Sequence, residues 1–532
     1  MTRPALVPQP RSVSERPGST AVPAVVTVDS FLPLGKWLIR SLEDWLDTSL
    51  VPADSLAGAD SRAGAWLTVS EDPDLRPGAY RLAVGGGVRI AAAGREGVLN
   101  AAQTLRQLAG ARAFAPAPVG ADEPVELANV DIDDAPVFSF RGVLLDVARH
   151  FMPMNELLRF IDLAAAHKLN ALHLHLTDDQ GWRIDIPALP RLKEISSWRS
   201  DTMLYYTEDG RFMSGRPHGG CYSLDELREA VAYARERGVT IIPEIDLPGH
   251  SVAAIAAYPR LGVDAPEVQV WGGWGVNDCI LDPSEYTLDF LRTVLDTVMD
   301  VFDAPIIHLG GDEVPYERWH ASESVKLRAK ELGLESVELL HGWFLGQLSA
   351  YVEAHGRRAG VWHEAVSSTL PKSAVVNGWG GLGTVVDSLA AGYDTTISCM
   401  SHLYLDFREN DDPREPSGCR PMLSTEKLYS FEPLTQEVLA AAETGGSAVT
   451  GIQAQLWTEY LDTQEIRDYN TYPRLSAFAE VAWSEQRDYS NFIGRLKSDH
   501  LDRLAAAGVD FRPLDGPHPW QERPDIRAIA GR

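Results

Sequence analysis

From about residue 137 onward the chain alternates short apolar runs with stretches whose apolar residues recur at helical spacing, the pattern that predicts parallel βαβ units. Eight candidate strands centre on Gly142–Leu145, Ala171–Leu174, Thr240–Ile242, Ile306–Leu309, Ala359–Trp362, Ala374–Asn377, Thr395–Ser398 and Thr450–Gln453. Their continuous apolar character is that of strands buried on both faces. Helical periodicity fills most of the gaps, as over Leu157–Lys168, Leu224–Gly238, Leu288–Phe302 and Tyr472–Trp483. Eight such units predict a closed (β/α)8 TIM barrel. An open doubly wound sheet is the competing topology, but no glycine-rich phosphate fingerprint follows any strand.

Ahead of the barrel the pattern is different. Short strand-like stretches, Ala21–Val28 and Tyr80–Val84, mix with a helical segment at Val98–Leu108, which predicts a small α+β domain over residues 1–136. A Pro/Ala-rich loop at Ala115–Gly120 precedes its last strand. Residues 137–532 are assigned to the barrel and its C-terminal segment. A chain of 532 residues accommodates both, since a barrel takes about 250 to 400 residues.

A formal charge of −27 argues against nucleic acid or an anionic membrane surface as partner, and is equally well explained by solubility. Cys221, Cys279, Cys399 and Cys419 show no metal-binding spacing and read as reduced structural thiols, Cys399 inside a strand pattern. The first ten residues lack the apolar stretch of a secretory signal, and no apolar run is long enough to cross a bilayer. A cytoplasmic location is the expectation if this is the full natural chain. No HExxH, cysteine-pair or facial-triad spacing occurs, so neither metal nor cofactor is expected.

Chemistry gathers where the strands end. The fourth strand runs through His308-Leu309-Gly310-Gly311 into Asp312-Glu313. Two adjacent carboxylates in a partly dry cleft push one pKa upward, so that one can hold a proton near neutrality while the other stays ionised. That division of labour suits cleavage of an acetal. The other strands end in Asp146-Val147-Ala148-Arg149-His150, Thr177-Asp178-Asp179-Gln180, Glu244-Ile245-Asp246-Leu247-Pro248-Gly249-His250, Trp362-His363-Glu364, Trp379, Tyr404-Leu405-Asp406 and Trp457-Thr458-Glu459. In a barrel all of these face one mouth.

This ring of motifs resembles the family 20 glycoside hydrolases, the β-N-acetylhexosaminidases, over nearly the whole chain. The strongest signatures are Arg149-His150, His173-Leu174-His175-Leu176-Thr177-Asp178-Asp179-Gln180, Pro243-Glu244-Ile245-Asp246-Leu247-Pro248-Gly249-His250, His308 to Glu313, and Trp457-Thr458-Glu459. The resemblance implies a retaining exo-hydrolase in which the 2-acetamido oxygen of the substrate is the nucleophile. Glu313 would protonate the leaving oxygen and later take a proton from water. Asp312 would hold the acetamido N–H, and Tyr404 would orient the acetamido oxygen. Asp178 and His250 would support the acid from behind, with Asp246 beside them. Trp362, Trp379 and Trp457 would wall the acetamido pocket, and Arg149, Asp406 and Glu459 would fasten the sugar hydroxyls. His173, His175 and His308 read as hydrogen-bonded core residues.

The implied partners are oligosaccharides or glycoconjugates ending in N-acetylhexosamine. Three places depart from the family pattern: Cys221 in Gly219–Ser223, His363 beside Trp362, and the Trp-free loop Phe407–Leu423. Two rival readings stand beside this one. One is a two-carboxylate glycosidase with Glu244 or Glu364 as nucleophile; the other is an inactive carbohydrate-binding protein on the same fold.

Overall fold

The computed structural model describes residues 4–53, 65–120, 124–207, 210–416, 418–419 and 421–523. Its centre is a closed barrel of eight parallel strands: Phe140–Asp146, Ala171–His175, Thr240–Glu244, Ile306–His308, Arg358–Trp362, Val375–Gly378, Asp394–Ile397 and Val449–Leu456. The last pairs with the first, Leu456 against Leu145, which closes the ring. Each run of the sequence pattern thus corresponds to one strand.

Buried strand residues such as Val143, Leu172, Ile241, Ile307, Val361 and Ile452 pack outward against the surrounding helices in one continuous core. Several helices begin where a side chain satisfies free backbone N–H groups. Ser223 opens Leu224–Glu236 with a reciprocal capping box to Glu226, and Ser284 caps Glu285–Val301. Such caps contribute about 1 kcal/mol each.

Two expected boundaries move because of proline. The run read as one strand over Ala21–Val28 is two, Ser12–Ala21 and Val25–Ser30, and Pro23, which has no N–H to donate, lies in the break. The helix expected from Tyr472 starts at Arg474, with Pro473 at its N-cap. Cys399, expected within a strand, lies two residues beyond Ile397 and leads into a short helical turn, Met400–Leu403.

The N-terminal residues form a seven-stranded sheet in the order Ser12–Ala21, Glu126–Asp134, Tyr80–Val84, Val88–Ala92, Leu67–Glu71, Val25–Ser30 and Ser49–Pro52. Helices Lys36–Leu46 and Arg95–Leu108 pack on it, and Ala166 and Trp483 of the barrel helices join the same core. The junction has a polar centre. Asp134 accepts from Tyr80 Oη at 2.6 Å, Lys168 Nζ at 2.9 Å and Trp483 Nε1 at 2.8 Å, all buried. A fully buried ammonium is tolerable only when paired and hydrogen-bonded, so this carboxylate ties sheet to barrel.

Among the described residues no helix is long and apolar enough to cross a membrane. The four cysteines are unpaired.

Candidate active site

After His308 the fourth strand turns sharply through Gly310 and Gly311, whose φ angles of 67° and 100° lie in the left-handed region. A Cβ on Gly310 would stand 1.7 Å from Asp246 Oδ1, so only glycine fits, and Gly311 N–H then donates to that same oxygen at 3.1 Å. The turn delivers Asp312 and Glu313 to the mouth. Glu313 and His250, which face each other, both have φ of 48°. Left-handed backbone is costly for such side chains and is held here by the surrounding contacts.

His250 joins the acids to the second strand. Its Nδ1 lies 3.2 Å from Asp178 Oδ1 and 3.6 Å from Asp179 Oδ2, while Nε2 lies 3.5 Å from Glu313 Oε2 and 3.9 Å from Asp312 Oδ2. Asp178 uses its other oxygen for Arg149 Nη2 at 2.7 Å and His175 Nε2 at 2.8 Å. Burial alone would raise the pKa of Asp178, but Arg149 and His250 hold it well below the carboxylate range.

Electrostatics divides the acid pair in an unexpected sense. The Asp312 carboxyl is pushed up to about 7, chiefly by burial, with the charges of Glu364, Glu244 and Glu313 adding to it. Glu313 is lowered, chiefly by the facing imidazole of His250, whose Nε2 lies 3.5 Å away. The reason is placement: the Asp312 side chain is 13% exposed and that of Glu313 is 43% exposed. Mutual repulsion, the cause inferred from adjacency, is a lesser contribution. Burial opposes a charge on His250, but Asp178 and the other acids around it raise its pKa well above the usual value.

Beside the acids runs an aromatic arc. Ring centroids of Trp362 and Trp457 are 6.2 Å apart, Trp457 and Tyr404 6.5 Å, and Tyr404 and Trp379 6.4 Å. Trp379 is fixed by Glu364, whose two oxygens accept its indole N–H at 3.0 and 2.9 Å, and His363 Nδ1 lies 2.9 Å from the same carboxylate. Tyr404 does not stand at the end of its strand. The chain makes the Met400–Leu403 turn first, then Leu405 N–H donates to Gln455 O at 2.8 Å and returns Tyr404 to the barrel wall. Arg474, from the last barrel helix, holds this loop by donating to Leu405 O and Phe407 O at 2.6 Å and Leu423 O at 3.0 Å.

The remaining polar side chains gather beside these groups, close enough for the charges of Arg149, Glu459, Asp312 and Asp406 to act on one another. Arg149 lies over the Trp457 ring, 5.1 Å to its centroid, and donates through Nε to Gln180 at 3.1 Å. Arg149 is thus salt-bridged to Asp178, yet its Nη1 has no hydrogen-bond partner. The same holds for buried oxygens of Asp312, Asp406, Glu459 and Asp246. Buried polar atoms are normally satisfied, so a cluster of unsatisfied ones marks a place suited to a ligand rich in hydroxyl and amide groups. Burial, together with the Glu459 charge, raises the Asp406 pKa well above the carboxylate range.

Glu244, a candidate nucleophile from sequence, points into the barrel and is fully buried. Its oxygens lie 2.5 Å from His175 Nδ1, 3.2 Å from His173 Nε2 and 3.0 Å from His308 Nδ1, and accept from Trp362 Nε1 at 2.8 Å. Gly360, paired with His308 across the sheet, leaves room for that ring, since a Cβ there would meet His308 Cδ2 at 2.6 Å. His173, Glu244 and His308 are close enough together to hold a cation, but the carboxylate is already surrounded by donors. The sequence pattern marked the three histidines as hydrogen-bonded core residues but gave no sign that they meet around Glu244, nor of the holding contacts of Arg474 and Gln180.

Comparisons with known proteins agree over nearly the whole chain. The catalytic domain of glycosyl hydrolase family 20 matches residues 138–486, and domain 2 of that family matches residues 3–135. A beta-hexosaminidase of Porphyromonas gingivalis is 32% identical over 519 residues, covering 95% of this chain and 64% of that protein. This chain thus spans just under two thirds of that relative. A beta-hexosaminidase of Vibrio furnissii is 33% identical, covering 89% of this chain and 76% of its own length. Among solved structures, the exo beta-N-acetylglucosaminidase of Vibrio harveyi in complex with N-acetylglucosamine superposes with a TM-score of 0.83 at 32% identity, covering 96% and 78% of the two chains. The Streptomyces plicatus N-acetyl-beta-hexosaminidase in complex with Thio-NAglucal gives 0.80 at 27% identity, covering 97% of each.

Proposed function

Because the chain belongs to glycosyl hydrolase family 20, we propose that it is a retaining exo-β-N-acetylhexosaminidase. It would remove terminal non-reducing N-acetyl-β-D-glucosamine or -galactosamine from oligosaccharides or glycoconjugates, with the 2-acetamido oxygen of the substrate as nucleophile. The observation that carries this reading is the Asp312–Glu313 pair beside the arc of Trp362, Trp457, Tyr404 and Trp379, while both acids otherwise suited to direct attack are occupied. Glu244 is surrounded by three histidines and an indole, and Glu364 holds Trp379.

In the first step Glu313 gives its proton to the glycosidic oxygen as the bond from that oxygen to C1 breaks. The acetamido oxygen forms a new bond to C1 from the opposite face, closing an oxazolinium ring. Tethering of the nucleophile supplies much of the rate. Asp312 accepts the acetamido N–H and faces the growing positive charge, and Tyr404 donates to the acetamido oxygen and fixes its angle. In the second step Glu313, now ionised, takes a proton from water as that water attacks C1. The ring bond to C1 breaks, and the acetamide and the β configuration are restored.

The protonation states of the free protein must change for this to work. An N–H donor and a developing cation both favour ionised Asp312, reversing the effect of its burial. A bound sugar also covers Glu313, and removal of water raises the pKa of a carboxyl group, bringing the proton to where it is used. A donor placed in this way is worth roughly 10²- to 10⁴-fold in rate.

The decisive experiment compares an aryl N-acetyl-β-glucosaminide with the matching plain aryl β-glucoside. Turnover is expected only with the acetamido substrate. Equal rates on both would refute attack by the acetamido group.

A further inference from the structure

We propose that His175, which lies wholly inside the barrel, is a positioning residue of the reaction: held between Glu244 and Asp178, it fixes the Asp178–His250 pair that presents Glu313 to the glycosidic oxygen. The inference rests on the reading of Glu313 as proton donor.

His175 ends the second barrel strand and has no exposed surface. Its Nδ1 is 2.5 Å from Glu244 Oε2 and its Nε2 is 2.8 Å from Asp178 Oδ2, so a carboxylate faces each ring nitrogen. A neutral imidazole has one N–H and would turn a lone pair toward the other carboxylate; only the imidazolium donates to both. Burial disfavours that charge, but the two carboxylates outweigh it and raise the pKa well above the histidine range.

The result is an alternating chain from the barrel axis to the mouth: Glu244, His175, Asp178, His250, Glu313. Its successive contacts are 2.5, 2.8, 3.2 and 3.5 Å. The inner end is anchored, because Glu244 also faces His173, His308 and Trp362 Nε1. The other charged groups facing the centre of the chain are Arg149, on Asp178 Oδ2 at 2.7 Å, and Asp246, within 4.8 Å of both His175 and Asp178. With Oδ2 engaged by His175 and Arg149, Asp178 turns Oδ1 toward His250 Nδ1 and the Asp179 N–H. The Trp457 ring stands edge-on to His175 at 5.0 Å, so the same side chain also supports the aromatic wall.

A core histidine needing only hydrogen-bond satisfaction would require one such partner. Removing the cation of His175 would leave the surroundings of His250 and Glu313 more negative. Glu313 would then hold its proton more tightly and become a weaker acid.

The test is His175→Gln, neutral but able to reach Asp178, in the full chain. It is assayed on aryl N-acetyl-β-glucosaminides with leaving groups from good to poor. The kcat of the poorest is expected to fall about 10- to 100-fold more than that of the best, with KM within about threefold. The basic limb of the kcat profile, which reports the substrate-bound protein, is expected to move to higher pH. Glu313→Gln, run in parallel, tests the underlying reading: if its loss does not depend on the leaving group, the assignment of the proton donor fails whatever His175 does. If Glu313→Gln shows that dependence while His175→Gln slows all substrates equally with an unmoved basic limb, His175 is only structural and the proposal falls. Neutron diffraction of the wild-type protein at pH 7 needs no variant to fold. Deuterium on both ring nitrogens of His175 supports the proposal, and deuterium on one overturns it.

Discussion

Replacing Asp312 by Asn is expected to make the protein more stable while removing most of its activity. In the folded protein the Asp312 carboxyl is raised from 3.8 to about 7, chiefly by burial. Between those two values the folded protein holds a proton that the unfolded chain has released, so stability falls as the pH climbs, and the loss is complete above about 7. The rise corresponds to about 4 kcal/mol. Asparagine has the shape of the protonated acid and does not titrate, so the variant escapes this loss. Asp312 Oδ1 has no hydrogen-bond partner to forfeit. At about 2.1 cal/mol/K of unfolding entropy per residue over 532 residues, about 4 kcal/mol is a rise in Tm of about 4 °C. The assay is thermal unfolding of both proteins from pH 4 to pH 8, with activity measured alongside. The two melting curves should nearly coincide at the acid end and separate progressively above pH 4. A Tm difference that does not change with pH, or a variant less stable than wild type at pH 8, would refute the reasoning. Above about pH 7 the site thus stores an unfavourable charge, which a sugar bound as proposed would compensate.

The other expectations concern single contacts. Tyr404→Phe removes the donor proposed for the acetamido oxygen and should lower kcat on an aryl N-acetyl-β-glucosaminide about 10- to 100-fold with little change in melting temperature; an unchanged kcat would show that the hydroxyl does not orient the nucleophile. Glu364→Ala frees the Trp379 indole and should raise KM about tenfold more than it lowers kcat, since the wall would loosen while the acids stay in place; a pure kcat effect would argue that Glu364 itself takes part in the chemistry. Asp134→Ala strands the Lys168 ammonium between sheet and barrel and should cost about 3 to 5 kcal/mol in urea unfolding; a loss under about 1 kcal/mol would mean that the junction holds without its polar centre.

The number and order of the barrel strands were legible because a strand covered on both faces must be apolar throughout, whatever its neighbours. The strand-end residues were legible for a related reason: in a barrel the chain leaves the apolar layer at one rim, so polar residues that follow Leu145, Leu309 or Leu456 have nowhere else to gather. Proline marked the two boundaries that moved, and both lie where its missing N–H breaks a backbone pattern.

Which way each side chain turns was not legible. Glu244 and Glu313 both follow apolar strands, yet one points to the barrel axis among three histidines and the other to the mouth. The difference comes from strand register, with Glu244 level with both His175 and His308, and from the left-handed turn that lifts Glu313 away. The protonation order of the acid pair was likewise set by depth, which adjacency in the chain does not encode. Arg474 is brought to the loop of Tyr404 and Asp406 only by the packing of the last helix, some seventy residues later in the chain. The sequence by itself therefore determined the barrel and the collection of groups at its rim, because both follow from local apolar patterning. Only the tertiary structure decided which acid is dry, which is paired and which is exposed at the mouth, because burial and charge are properties of neighbours brought together from the whole chain.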